Sequence, residues 1–118
     1  MSRVKKGLAA KKHRDYLLQR AKGYLNGAKN KFRLAKEKLF KAESNAYRSR
    51  RLIKRDFRRL WITRINGALD QIESDLSYSK FINLLSKSDY KDLNRKSLSE
   101  IAIRDIDSFK EIVEKVQA

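Results

Sequence analysis

Between Ala28 and Asn66 the apolar residues recur mostly every three or four positions, and this stretch contains neither Gly nor Pro. That spacing is the period of an α-helix with one apolar face. The series is Phe32, Ala35, Leu39, Ala42, Ala46, Ile53, Phe57 and Leu60. We therefore predict one long helix over residues 28–66. Its apolar stripe is narrow, and its flanks are basic. A coiled-coil strand would mix acids and bases beside the stripe, and acids are scarce here.

The segment before this helix is short and poor in large apolar side chains. We predict an extended start, then a short helix over residues 9–21. Gly23 and Gly27 mark a turn or helix break between this helix and the long one. No window of the chain alternates apolar and polar residues, so no strand is expected.

The chain after Leu60 has the pattern of a small helical domain. The long helix enters it with Leu60, Trp61, Ile65, Leu69 and Ile72, and we expect Trp61 to anchor the core. A second helix is predicted after Ser77. The residues Ser97 to Glu100 fit a capping box at the start of a third helix. Either Asp107 or Ser108 caps the last one, whose apolar residues are spaced by three, four and seven.

The two halves of the chain differ in charge. Residues 1–64 hold 22 Lys and Arg against 4 Asp and Glu, whereas residues 65–118 hold 8 against 10. The whole formal charge of +16 therefore comes from the first half. We predict an all-α protein made of a long basic N-terminal helical extension, residues 1–59, and a small compact helical domain, residues 60–118. Such an excess of positive charge calls for a polyanionic partner, and nucleic acid is the leading one.

The candidate nucleic-acid contacts are mainly cations, since Lys and Arg neutralise phosphates and the planar Arg side chain also stacks on bases. We predict these nucleic-acid-binding residues: Arg3, Lys5, Lys6, Lys11, Lys12, His13, Arg14, Lys22, Tyr24, Lys29, Lys31, Arg33, Tyr47, Arg48, Arg50, Arg51, Lys54, Arg55, Arg58, Arg59, Arg64, Lys80, Arg95 and Lys96. Tyr24 and Tyr47 could stack on unpaired bases or pack within the protein. His13 could contact a phosphate or base, or be solvated.

The sequence offers no set of residues for catalysis. His13 is the only histidine and there is no cysteine, so a zinc site is not expected. Asp70, Glu73 and Asp75 lie on a polar segment and are expected to be solvated. No glycine-rich phosphate loop is present, and no run of about 18 apolar residues could span a membrane. We therefore predict no enzyme activity, cofactor, small-molecule substrate or membrane partner.

One run is specific to a known family. Residues 54–66, KRDFRRLWITRIN, closely resemble the signature of the twentieth protein of the bacterial large ribosomal subunit. Residues 3–7, 22–24, 46–48, 77–82, 94–96 and 99–102 also resemble family blocks, in the expected order. Asn26 stands where the family usually has Gly, and because Asn tolerates a left-handed backbone the turn is expected to survive. Gly67 replaces a usual Ala.

The resemblance implies a basic helical extension that penetrates large-subunit ribosomal RNA, followed by a compact helical domain. It also implies early binding during subunit assembly, with neighbouring large-subunit ribosomal proteins as further partners. The expected location is the ribosome of a bacterial cytoplasm or of an organelle such as a plastid. The alternative function is a DNA-compacting architectural protein, but the sequence shows neither clear wedge residues nor a dimer face.

Overall fold

The computed structural model describes residues 3–118, and in that part of the chain all regular structure is helical. The α-helices are α1 (Gly7–Arg20), α2 (Phe32–Gln71), α3 (Tyr78–Lys87), α4 (Arg95–Arg104) and α5 (Ile106–Gln117), with a 3-10 helix at Asn26–Lys29. The predicted all-α class is therefore confirmed, with a long basic helix and short helices after it.

The long helix α2 has 40 residues. It begins at Phe32 rather than Ala28, because the preceding residues form the 3-10 helix. It also continues past Asn66 to Gln71, through Gly67. A β-carbon added at Gly67 would meet no atom within 4 Å, so the position is open and glycine is not needed there for space. The residue weakens the helix without ending it.

The turn between α1 and α2 depends on two left-handed residues. Gly23 has φ +88°, where a side chain would be strained, and Asn26 has φ 54°. Asn is one of the few residues that adopt this conformation at modest cost. The turn therefore survives with Asn26 in the place of the usual glycine, as predicted.

The chain divides into two compact units, the first ending at Arg51 and the second beginning at Leu52. The core of the first unit is small and consists of Leu17, Ala21, Ala35 and Leu39, with Leu18, Tyr24 and Phe32 packed against it. An ion pair between Arg20 of α1 and Glu43 of α2 lies in the same unit. This unit thus holds α1 on α2 with few apolar side chains.

The second unit has the larger core. Its buried residues are Ile65, Ala68, Leu69, Phe81, Leu85, Leu98, Ala102, Phe109, Val113 and Val116. The rings of Phe81 and Phe109 are fully buried, with centroids 5.8 Å apart. Helix α5 contacts both α3 and α4. Each helix of this unit therefore buries one apolar face, as the spacing of three and four residues requires.

Trp61 is not part of this core, so the prediction that it anchors the domain is wrong. Ile65 and Leu69, one and two turns further along α2, are buried instead. Trp61 is only partly buried and packs on Phe57, at 6.2 Å between ring centroids. Beside it α4 contributes the charged side chains of Lys96 and Glu100 rather than apolar side chains of the core.

The caps of α4 and α5 also differ from the prediction. Asn94 caps α4, since its side-chain oxygen accepts from the Ser97 amide at 2.9 Å. Asp105 caps α5 and accepts from both the amide and the hydroxyl of Ser108, at 3.1 and 2.6 Å. Both helices begin about a turn earlier than expected, because an Asx side chain reaches the free amides there. Ser97 and Ser108 are therefore partners of the caps.

Candidate nucleic-acid interface

The cations at the start of the chain form an exposed group. Arg3, Lys5 and Lys6 precede α1, whereas Lys11 and Arg14 lie on it; all are exposed. Lys12, Lys22, Lys29, Lys31 and Arg33 are exposed as well. None of these side chains lies within 4 Å of a carboxylate in residues 3–118, where ion pairs involve only Arg20, Arg59, Arg64 and Arg104. Their hydrogen-bonding groups are thus available to phosphates.

His13 lies against an aromatic ring. Its imidazole meets Phe32 edge-on, at 6.0 Å between centroids, and the Arg14 guanidinium lies 5.9 Å from the same ring. Phe32, the first residue of α2, is half-buried and packs against the small core of the first unit. Phe32 therefore serves packing, whereas His13 remains exposed.

The two candidate tyrosines differ in exposure. Tyr24 is half-buried and packs against the small core of the first unit. Tyr47 is 58% exposed. The guanidinium of Arg51 lies 4.8 Å from the Tyr47 ring centroid and donates to its hydroxyl at 3.3 Å. Arg51 therefore covers part of the Tyr47 ring and holds it in place. Because Tyr47 is the more exposed of the two tyrosines, it is better suited to stack on a base than Tyr24 is.

The middle of α2 is basic on several faces. Arg48, Arg50, Arg51, Lys54, Arg55, Arg58 and Arg59 are all exposed. Arg59 has only a long contact with Asp56, at 4.0 Å, which contributes little at the surface. Like charges four residues apart, such as those of Arg51, Arg55 and Arg59, repel one another on an isolated helix. This density of cations therefore costs free energy unless a polyanion neutralises it.

The predicted contacts after Arg59 are fewer and more constrained. Lys80 and Lys96 are exposed. Arg95 is half-buried, and its Nε donates to the Tyr78 hydroxyl at 2.6 Å. Arg64 approaches Glu100 at 3.8 Å, with 34% of its side chain exposed. Arg95 therefore has a partner within the protein, and it is also one of the candidate nucleic-acid contacts.

A groove on the second unit was missed from the sequence. Ile53, Phe57, Leu60 and Trp61 line it together with Arg64 and other cations. The sequence pattern assigns Ile53, Phe57 and Leu60 to the apolar stripe of the long helix, and Trp61 to the core of the small domain. One signal in the sequence could have identified these groove residues: the basic half of the chain has no second apolar segment against which this part of the long helix could pack.

Other kinds of site find no support in the part of the chain described. Within residues 3–118 no three His, Cys, Asp or Glu side chains are placed to hold a metal ion. Over the same residues, none of the helices combines the length and apolarity needed to cross a bilayer. Asp70, Glu73 and Asp75 are exposed, as expected for solvated acids.

The fold and this surface define a class: small, strongly basic, all-helical proteins suited to a polyanionic partner. Within that class the comparison is specific, since the family model for ribosomal protein L20 matches residues 3–112. The chain belongs to the ribosomal protein L20 family, so the resemblance seen in the sequence is confirmed.

Individual relatives cover nearly the whole chain. The large ribosomal subunit protein bL20 of Acaryochloris marina is 51% identical over 97% of this chain and 96% of its own length. Those of Acetivibrio thermocellus and Francisella tularensis subsp. holarctica are 48% and 46% identical, each over 100% of this chain and 98% of their own length. The similarity therefore includes both the basic first half and the second unit.

Proposed function

We propose that this protein is a structural component of the large ribosomal subunit that binds large-subunit ribosomal RNA directly and supports early subunit assembly. One observation carries the proposal: the exposed cations of the first 64 residues, most of them without a carboxylate partner in residues 3–118. Family membership supports the same partner, because the relatives are large-subunit proteins. Phosphate contacts would dominate the affinity and fix position without reading sequence.

Each predicted part has its own role in this proposal. Residues 1–59 act as the RNA-penetrating extension, and residues 60–118 as a folded domain that adds contacts through Lys80, Arg95 and Lys96. Neighbouring large-subunit proteins are the further partners. The compartment is a bacterial cytoplasm or an organelle such as a plastid. A DNA-compacting role is the weaker alternative, since the family is ribosomal.

The test is binding of the full-length protein to isolated large-subunit ribosomal RNA in moderate salt, with small-subunit RNA as competitor. We expect preferential binding to the large-subunit RNA and co-sedimentation with the large subunit. Equal binding to both RNAs, or to duplex DNA, would contradict the proposal.

Two charge-neutralised variants separate the contribution of the basic extension from that of net charge. One carries Arg33→Gln, Arg48→Gln and Arg50→Gln, all exposed and without ion pairs in residues 3–118. The matched control carries Lys87→Gln, Lys91→Gln and Lys110→Gln, which remove the same charge from exposed positions in the second unit. The first set should make the negative log–log salt slope shallower by roughly 2–3, and the control set should change it much less. Equal losses would mean that the chain binds through its net charge alone.

A further inference from the structure

The second unit carries a groove that its own core does not fill. The α2 side chains of Ile53, Phe57, Leu60 and Trp61 line a volume of about 770 Å³. Ile53 is 52% exposed, and Phe57 is 47% exposed. None of the four belongs to the buried core of the unit or packs against it. A concave site lined by apolar side chains with a few polar groups around it is the usual form of a ligand site.

The groove contains two neighbouring aromatic rings. Phe57 and Trp61 lie one helical turn apart, with centroids at 6.2 Å and planes tilted by 34°. Aromatic side chains bind single-stranded nucleic acid by stacking on bases, whatever the base. The pair therefore offers an apolar surface suited to a flat ring system.

The rim of the groove is positive. Lys54, Arg55, Arg58 and Lys96 are exposed lining residues, and Glu100 is the one acid among the residues that line it. The Glu100 carboxylate is already partnered by Arg104 at 3.0 Å and Arg64 at 3.8 Å. The groove thus combines a stacking surface with cations that complement phosphates, and an apolar protein segment would leave those cations unused.

The ion pair adds hydrogen-bonding groups at the same place. The Arg64 guanidinium carries donor groups and the Glu100 carboxylate carries acceptor groups, and both side chains are partly exposed. Each of the four bases presents a donor next to an acceptor on its pairing edge when it is not paired. Arg64 and Glu100 can therefore satisfy such an edge without selecting one base.

We propose that this groove binds an unpaired base of the large-subunit RNA, stacked on Phe57 and Trp61. The flanking phosphates meet Lys54, Arg58 and Lys96. This inference rests on the proposed function and gives it a defined site in the second unit. A second copy of the chain is disfavoured as occupant because its net charge of +16 opposes association.

Trp61 reports on the site by itself, since it is the only tryptophan. The full-length protein is titrated with hexaadenylate and with an abasic ribose-phosphate hexamer of the same charge. We expect hexaadenylate to quench Trp61 emission and the abasic hexamer to leave it nearly unchanged. Equal quenching by both, or saturated binding by anisotropy of the labelled RNA without quenching, would overturn the proposal.

A pair of leucine variants tests the stacking surface while keeping an apolar side chain. Phe57→Leu should weaken hexaadenylate binding roughly tenfold, the scale of losing part of a base stack. Phe40→Leu is the matched control, since Phe40 is a similarly exposed ring on α2 outside the groove. It should change the affinity less than about twofold on the same scale. Equal effects of the two changes would count against the groove.

The natural occupant is identified by cross-linking from inside the groove. Leu60→p-benzoylphenylalanine is incorporated into the full-length protein, and large subunits that contain it are irradiated. An adduct carrying a nucleotide of the large-subunit RNA supports the proposal; an adduct with a protein, or no adduct, overturns it. If the chain does not join the large subunit or bind its RNA, the proposed function itself fails. The two failures are therefore distinguishable.

Discussion

Two aromatic residues of the second unit should differ sharply in their effect on stability. Phe81 is fully buried against Phe109, whereas Trp61 lies in the open groove. We predict that Phe81→Ala lowers the free energy of unfolding by about 3–5 kcal/mol, from lost burial and a residual cavity. Trp61→Ala should cost less than about 2 kcal/mol, since less apolar surface leaves the interior. Urea denaturation of both variants measures the difference; a larger loss for Trp61 would place it in the core after all.

A carboxylate at the start of α5 links stability to pH. The Ser108 hydroxyl and the Ser108 amide both donate to the Asp105 carboxylate. These bonds lower the pKa of that carboxyl, and the bond from the hydroxyl has the larger effect. A carboxyl whose pKa is lower in the folded state than in the unfolded state stabilises the protein at any pH above its unfolded-state pKa. This stabilisation is lost as the pH falls through the folded-state pKa. We predict that Ser108→Ala destabilises the protein at pH 7 and that the gap narrows below about pH 4. Denaturation at pH 7 and pH 3 tests this, and a gap independent of pH would assign the effect to packing.

At the scale of single helices, the observed caps lead to a test that separates two neighbouring polar residues. Asn94 accepts the Ser97 amide, so Asn94→Ala should lower stability by about 1 kcal/mol. Ser97→Ala keeps its amide and should change stability by less than about 0.5 kcal/mol. Thermal denaturation of both variants is the measurement. A larger loss for Ser97 would restore the capping box predicted from the sequence.

The packing of α1 on α2 is too weak to hold the two helices together without a partner. Of its four core residues only Leu17 and Leu39 are large, and burying two leucines gives roughly 3–6 kcal/mol. Ordering the backbone costs about 1–2 kcal/mol per residue, and the unpaired cations repel one another. We predict that RNA is needed for the basic extension to stay folded, whereas residues 60–118 fold alone, though marginally.

Amide hydrogen exchange of the free full-length protein, with and without RNA, measures this difference. Slow exchange throughout residues 10–50 in the absence of RNA would contradict the prediction. The fragment of residues 60–118 is the control, because it contains every buried residue of the larger core. That fragment should show dispersed, protected amides by itself.

At the scale of the whole molecule, the charge sets the salt dependence of binding. If about half of the 22 cations in residues 1–64 contact phosphates, about ten are neutralised, and the log–log slope of affinity against salt should be about −7 to −9. Titrations of large-subunit RNA at several salt concentrations give the slope. A slope near −2 would mean that most of these cations stay in solvent.

The sequence by itself determined the class of fold, the long helix and the family. These depend on properties that repeat along the chain: apolar spacing, the lack of Pro, and clustered Lys and Arg. The left-handed turn at Asn26 could also be anticipated, since it depends on the conformational range of one residue type. The exposure of most of the cations follows from their charge, because a charged side chain without a partner stays in solvent.

Only the tertiary structure decided which apolar residues are buried and which stay open. Phe57, Trp61 and Ile65 share one helical stripe, yet Ile65 is buried and the two aromatic residues line a groove. Whether each of these residues is buried depends on where α4 lies and on which of its side chains, here Lys96 and Glu100, face α2. Such neighbours are distant in sequence, so no local spacing encodes them. The caps differ for a similar reason: several polar residues precede each helix, and the backbone path selects the one that reaches the free amides.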